Sequence, residues 1–231
     1  MKTTLDLDSA QHQALLQCAF LSPLSDAARD AVMRTMTVRG YQTQDIVFRE
    51  GTTADTFCCI LSGLVRLYRV NIDGREADLG IFSAGDVFGE CSMFLQNCYP
   101  ADAKVAEKAV LAHFDTAMVF ELLPKFPDIA QAISGILAHH LKAAQNCIAD
   151  DRLKTAPQRV ASFLLARCPP GSPSSTFRLP YQKSLLAGTL GLAPEALSRA
   201  FSQLRLNGVS IMGRNIAIED TEALRQFSRS E

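Results

Sequence analysis

The stretch Gln182–Asn207, QKSLLAGTLGLAPEALSRAFSQLRLN, reads as two helices joined at a glycine. Leu185, Leu186 and Leu190 recur on one side of the first helix, and Ala187 is small enough for a second helix to approach closely. Gly191 breaks the pattern. Pro194 then suits a first helical position, where a missing N–H costs nothing, and Glu195 brings a carboxylate to the positive end of the new helix.

Within the second helix, Leu197, Ala200, Phe201 and Leu204 fall at helical spacing and are expected to bury against the first helix and the domain core. Glu195, Ser198, Arg199, Ser202 and Gln203 form the opposite, polar face. A helix-turn-helix that presents such groups near the start of its second helix can read base edges in the major groove. There a guanidinium forks onto guanine O6/N7 and a carboxylate accepts from cytosine N4. A solvated face with a Glu195–Arg199 pair four residues apart would satisfy the same spacing.

Glu195-Ala-Leu-Ser198-Arg199, following the framework of Ala187, Gly191 and Leu197, resembles the recognition helix of the CRP/FNR family of bacterial transcription regulators. The FNR branch carries E-x-x-S-R. The CRP branch has Arg just before the Glu and Gly before the later Arg, where this chain has Pro194 and Ser198. The resemblance implies that Glu195, Ser198 and Arg199 read a TTGAT-type half-site. A homodimer would then recognise a TTGAT-N4-ATCAA inverted repeat in promoter DNA, with RNA polymerase as a further partner and activation as the outcome. Lys183, Gln203 and Arg214 are additional candidates for phosphate contact.

Composition agrees with a globular regulator. The chain has 231 residues, 48% of them hydrophobic, enough for one large or two modest cores. No apolar run approaches the roughly 20 residues that span a bilayer, and the start carries acidic Asp6 and Asp8 instead of a basic leader, so a cytoplasmic location away from membranes is expected. Seven cysteines without C-x-x-C or Cys/His metal spacing suit reduced thiols. The net charge of −1 is unevenly spread: residues 1–150 hold 12 Lys+Arg against 18 Asp+Glu, and residues 151–231 hold 11 against 6. Positive charge thus accompanies the helix-turn-helix, as phosphate neutralisation requires.

Upstream, Ser9–Met36 shows helical spacing broken at Pro23, which predicts two short helices. From Arg39 the period shortens, and Gly51, Gly63, Gly74 and Gly85 recur at intervals of 12, 11 and 11 residues, the rhythm of a small all-β domain. Strands are expected at Asp45–Phe48, Phe57–Leu61, Val65–Val70, Ala77–Phe82, Lys104–Ala106 and Leu111–Phe114, with a hairpin turn at Ile72–Arg75. Leu61–Arg66 and Gly85–Glu90 resemble the cyclic-nucleotide-binding jelly roll of the same family. Helical spacing returns at Val119–Leu123. Pro127 then opens a long helix to about Leu153, whose stripe through Ile129, Ile133, Ile136, Leu137, His140, Leu141, Ala144, Cys147 and Ile148 suits a dimer partner on one edge and the β-roll on the other. Thr155–Arg167 reads as a helix, Cys168–Thr176 as a Pro/Gly/Ser loop, and Val209–Ile218 as a winged hairpin turning at Gly213.

The expected fold class is therefore α+β. A cyclic-nucleotide-binding-like β-roll with N-terminal helices spans 1–125, a dimerisation helix 126–153, and a winged helix-turn-helix 154–231. No enzyme is expected, because a cupin-like site needs a His/Glu cluster on strands and the roll offers only His113.

The signal is read from the family's options. Gly89-Glu90-Cys91-Ser92 matches the opening of the family's phosphate cassette and marks a candidate effector pocket. Where the closing Arg-Ser/Thr-Ala should stand, however, the chain has Pro100, Ala101 and Asp102, which argues against a cyclic nucleotide. Of the cysteines only Cys18 lies near the N-terminus, and Cys58 and Cys59 should point to opposite faces of a strand, so no iron–sulfur cluster is expected. A roll lacking both features, with Tyr99-Pro100, resembles the DNR/NnrR-type nitric-oxide-responsive branch. That likeness implies haem, with His12, His113, His139 and His140 as candidate ligands. Cysteine redox control, another small molecule, and a non-specific interaction module are the alternatives.

Overall fold

In the computed structural model, which describes residues 7–95, 98–179 and 182–229, two short helices precede the roll. α1 (Ser9–Gln17) starts at a capping box, in which Asp8 accepts from the Gln11 amide and the Gln11 side chain returns to Asp8. α2 (Asp26–Met33) is capped by Ser25. β1 (Met36–Tyr41) follows, then β2 (Ile46–Phe48), β3 (Thr56–Val70), β4 (Glu76–Phe82), β5 (Val87–Phe88), a 3-10 helix (Glu90–Phe94) and β6 (Asp102–Asp115). The antiparallel sheet runs β1-β6-β3-β4, with β2 also paired to β6 and β5 to β3.

Here the strands differ from expectation. Phe57–Leu61 and Val65–Val70 belong to one 15-residue strand, and Lys104–Ala106 and Leu111–Phe114 to one of 14 residues. Gly63 bends β3 without ending it. Its φ is +86°, and a Cβ there would lie 2.2 Å from the Lys108 carbonyl oxygen and 2.6 Å from the Ala109 Cα, so the two bent strands cross too closely for any side chain. The register shifts between Ile60 and Val65 mark the bulge. Met36, expected in a helix, instead opens β1 opposite Phe114, and β5 was not anticipated.

β3 sorts its side chains with period two. Phe57, Cys59 and Leu61 enter a core with α1, α2, α3 (Thr116–Leu122) and the start of α4 (Pro127–Leu153). Within that core Phe20 meets Phe57 and Phe114 edge-on at 5.0 and 5.2 Å. Cys58 and Ile60 enter a second core inside the roll, where Phe48 stacks on Tyr99 at 3.7 Å and Phe88 packs beside Phe48 and Phe82.

The chain divides into two compact units, residues 1–142 and 143–231, and the long helix contributes to both. The second unit contains the last turns of α4, α5 (Ala156–Leu165), β7 (Ser175–Arg178), α6 (Lys183–Thr189), α7 (Pro194–Arg205), β8 (Val209–Met212), β9 (Asn215–Ile218) and α8 (Thr221–Arg229). The wing is a three-stranded antiparallel sheet, β7-β9-β8. β7 takes up Ser175 and Thr176, expected in a loop, because Phe177 pairs opposite Ile216. No helix of the described residues is long and apolar enough to cross a membrane.

Candidate nucleic-acid interface and effector site

α6 ends where Gly191, at φ +59°, turns the chain, with the Leu192 amide donating to the Ala187 carbonyl at 2.8 Å. α7 then begins with Pro194 in its first turn and Glu195 beside the helix N-terminus. Leu197, Ala200, Phe201 and Leu204 are buried, whereas Glu195, Ser198, Arg199, Ser202 and Gln203 are all exposed on the other face. The Ser202 hydroxyl donates back to the Ser198 carbonyl at 3.1 Å, leaving Ser198, Arg199, Glu195 and Gln203 as the outward polar set.

Lys183 is exposed at the start of α6, with its ammonium 5.4 Å from the Phe201 ring. Together with Ser198, Ser202 and Arg205 it lines a groove of about 310 Å³ along α7. Arg205, which sequence spacing did not single out, adds a second cation to that groove. Arg214 is half-buried at the wing turn and donates from Nε to the Leu179 carbonyl at 2.8 Å, while the Leu179 amide returns a bond to the Arg214 carbonyl at 2.7 Å. Part of its guanidinium thus ties the wing to the end of β7.

The effector residues stand together but are engaged with the protein itself. Gly89 has φ +84°, and a Cβ there would touch Phe48 and Tyr99 at 3.5 and 3.6 Å. The Ser92 hydroxyl donates to the Gly89 carbonyl at 2.6 Å. Glu90 is buried and reaches His140 of α4, and burial together with Glu90 raises the thiol pKa of the half-buried Cys91. Behind them the Phe48–Tyr99 stack fills the roll, and the buried Asp102 stands where a cyclic phosphate would need a cation. The residues present do not fit a cyclic nucleotide.

The candidate haem ligands are dispersed. His113 accepts or donates through both ring nitrogens, Nε2 to the Tyr41 hydroxyl at 2.9 Å and Nδ1 to the Thr56 hydroxyl and Cys58 thiol at 3.3 Å each. Burial pushes it down to about 4. His140 is committed to Glu90. His12 is exposed on α1, and His139 is exposed on α4 beside a cleft of about 410 Å³ shared with Asp86 and Pro23. His139 and His140 share that cleft, His12 and His113 lie elsewhere, and the geometry selects none of the four as a haem ligand. Among the described residues no three His, Cys, Asp or Glu side chains are placed to share a metal ion.

One pairing escaped the sequence. The thiols of Cys18 and Cys59 meet between α1 and β3, and the contact with Cys59 lowers Cys18 to about 7 while raising Cys59. No spacing signal could have joined residues 41 positions apart.

Comparison with known proteins bears on both units. A family model for the cyclic nucleotide-binding domain matches residues 38–125, and one for the Crp-like helix-turn-helix domain matches residues 158–227. The transcriptional activator protein FnrA of Stutzerimonas stutzeri is 28% identical over 233 residues, 93% of each chain. A Ruegeria pomeroyi structure, provisionally assigned as a cyclic nucleotide binding protein, is 31% identical with a TM-score of 0.65, covering 96% of this chain and 98% of its own. The structure of DNR from Pseudomonas aeruginosa is 27% identical with a TM-score of 0.52, covering 96% of this chain and all of its own.

Proposed function

Because the chain belongs to the CRP/FNR family of DNA-binding transcription regulators, we propose that it acts as a homodimeric activator reading a TTGAT-N4-ATCAA inverted repeat through Glu195, Ser198 and Arg199. The observation that carries this reading is α7 itself. Its apolar face is buried, and a carboxylate, a hydroxyl and a guanidinium stand exposed together on the other.

Dimerisation is supported by α4. Leu137, Leu141, Ala144 and Ile148 recur at intervals of four, three and four residues, the spacing of a two-helix seam. Leu141 is 61% and Ile148 54% exposed, unusual for large aliphatic side chains on one helix face without a partner. RNA polymerase is the further partner that the family implies.

For the signal, we infer haem-bound nitric oxide, which the family likeness supports, with cysteine redox control as the alternative, for which Cys18 and Cys59, both buried in the core beneath α1, are the candidate pair. A hydroperoxide would oxidise the two thiols to a disulfide and be reduced to an alcohol and one water. Peptide mass analysis after peroxide treatment checks that alternative: a Cys18–Cys59 crosslink two daltons lighter than the two reduced peptides supports it, and unmodified thiols remove it.

Fluorescence anisotropy with a TTGAT-N4-ATCAA duplex, a single half-site and a scrambled duplex tests the main reading. Affinity for the inverted repeat well above both others supports it. Equal affinity for all three would reduce the protein to a non-specific DNA-binding module.

A further inference from the structure

Asp151 lies in the final turns of α4, and Arg159 lies in the early turns of α5. The two form an ion pair, with Arg159 only 16% and Asp151 49% exposed. Lys154 strengthens the same junction, pairing with Asp150 at 2.9 Å and donating to the Ser162 hydroxyl at 2.9 Å. α5 begins just beyond, held by a capping box between Thr155 and Gln158.

The ion pair also touches the turn between α6 and α7. A Cβ on Gly191 would lie 3.7 Å from both Arg159 Nη1 and Asp151 Oδ1, in van der Waals contact with each. Three elements therefore meet at one point: the end of the long helix, the helix that follows it, and, some 30 residues on, the turn that leads into α7. Arg159 is too buried to be a phosphate ligand, and its Nε has no hydrogen-bond partner.

We propose that Asp151 and Arg159 are positioning residues for operator recognition, forming a clasp that holds the helix-turn-helix at a set angle to α4 and thereby sets the half-site spacing the dimer accepts. The inference rests on the dimeric reading above. Two recognition helices fixed to one pair of long helices accept a single separation of half-sites, because each added base pair moves a half-site about 3.4 Å along and roughly 35° around the duplex. A loosened joint tolerates other separations. The carboxylate and guanidinium suit this task because their bond is directional, whereas a purely apolar contact at the turn would not define an angle.

The test uses the full chain and duplexes with N3, N4 and N5 spacers, together with a single half-site. D151N is expected to lower N4 affinity about five- to tenfold, to leave half-site affinity within about twofold, and to narrow the preference for N4 over N3 and N5. Joining D151R to R159D, which restores the pair with its charges exchanged, is expected to recover that preference. A merely structural defect lowers the active fraction for every duplex alike and leaves the spacing preference intact. That result, or D151N behaving as wild type, would overturn the clasp while the dimeric reading stands. Wild-type protein that binds the inverted repeat no better than a half-site would instead remove the dimeric reading, and the clasp with it.

Discussion

The Nδ1 of His140 lies 3.0 Å from Oε1 of Glu90, joining α4 to the 3-10 helix of the roll through a carboxylate that is 2% exposed. Phe82 covers the imidazole edge-on at 5.7 Å, and the second Glu90 oxygen is buried with no hydrogen-bond partner. The bond to Glu90 raises the His140 pKa above its usual value, with Asp86 adding to the shift and burial opposing it. A raised folded-state value stabilises the fold fully below about pH 6.5 and fades as pH climbs through the folded value. His140→Leu should therefore cost about 1–3 kcal/mol at pH 6, and the gap to wild type should be smaller at pH 9, where the charge contribution fades and the neutral hydrogen bond remains. Urea unfolding at both values measures it; an equal gap at both would sink the pairing as a charged one.

His113 titrates with the opposite sign. Its folded pKa of about 4 lies below the unfolded value, so stability is lost as pH falls from about 6.5 towards 4. His113→Gln keeps a hydrogen-bonding side chain without the titration. Wild type should lose on the order of 1–2 kcal/mol more than this variant between pH 6.5 and 4.5, as read by denaturant unfolding across that range.

Arg199 is exposed on α7 beside Ser198 and Glu195. Arg199→Ala should weaken binding to the inverted repeat by about 1–3 kcal/mol per half-site while leaving salt-dependent binding to scrambled DNA largely intact. Anisotropy titrations at two salt concentrations separate the two effects. An unchanged ratio of specific to non-specific affinity would remove Arg199 from base reading.

Leu141 is exposed in the Leu137–Ile148 stripe of α4, the proposed dimer seam. Leu141→Asp places a carboxylate where a second copy would bury its own leucine, so sedimentation should show monomer in place of dimer, with affinity for the full inverted repeat falling to that for a half-site. A variant that still sediments as a dimer would move the interface elsewhere.

Gly63→Ala should destabilise the roll by about 2 kcal/mol or more, since the new methyl would collide with backbone atoms of Lys108 and Ala109. Gly51→Ala and Gly74→Ala serve as controls. Both have positive φ but open space around them, so each should cost about 1 kcal/mol. Thermal melts that rank all three alike would deny the close crossing of β3 and β6.

The helix-turn-helix and the long helix were legible in the amino-acid order because their signals are local. Leu197, Ala200, Phe201 and Leu204 repeat within one helix, Gly191 and Pro194 punctuate it, and Pro127 and Leu153 bound α4 where the spacing predicted. A period of 3.6 residues needs no knowledge of what lies across the fold. The strands were less legible. Gly63 carries the same φ in a bulge as in a turn, and only the approach of Lys108 and Ala109 decides between them.

The local pattern by itself determined the two helices around Gly191, the bounds of α4 and which face of α7 is buried, whereas α8 and the 3-10 helix after Gly89 were not anticipated. Tertiary structure alone decided the pairings that join distant positions: Glu90 with His140, Cys18 with Cys59, His113 with Tyr41 and Cys58, and the Asp151–Arg159 pair with the Gly191 turn. The physical reason is that a buried charge or thiol is defined by its partner and its exclusion from water. Both arise only when segments far apart in the chain are packed together.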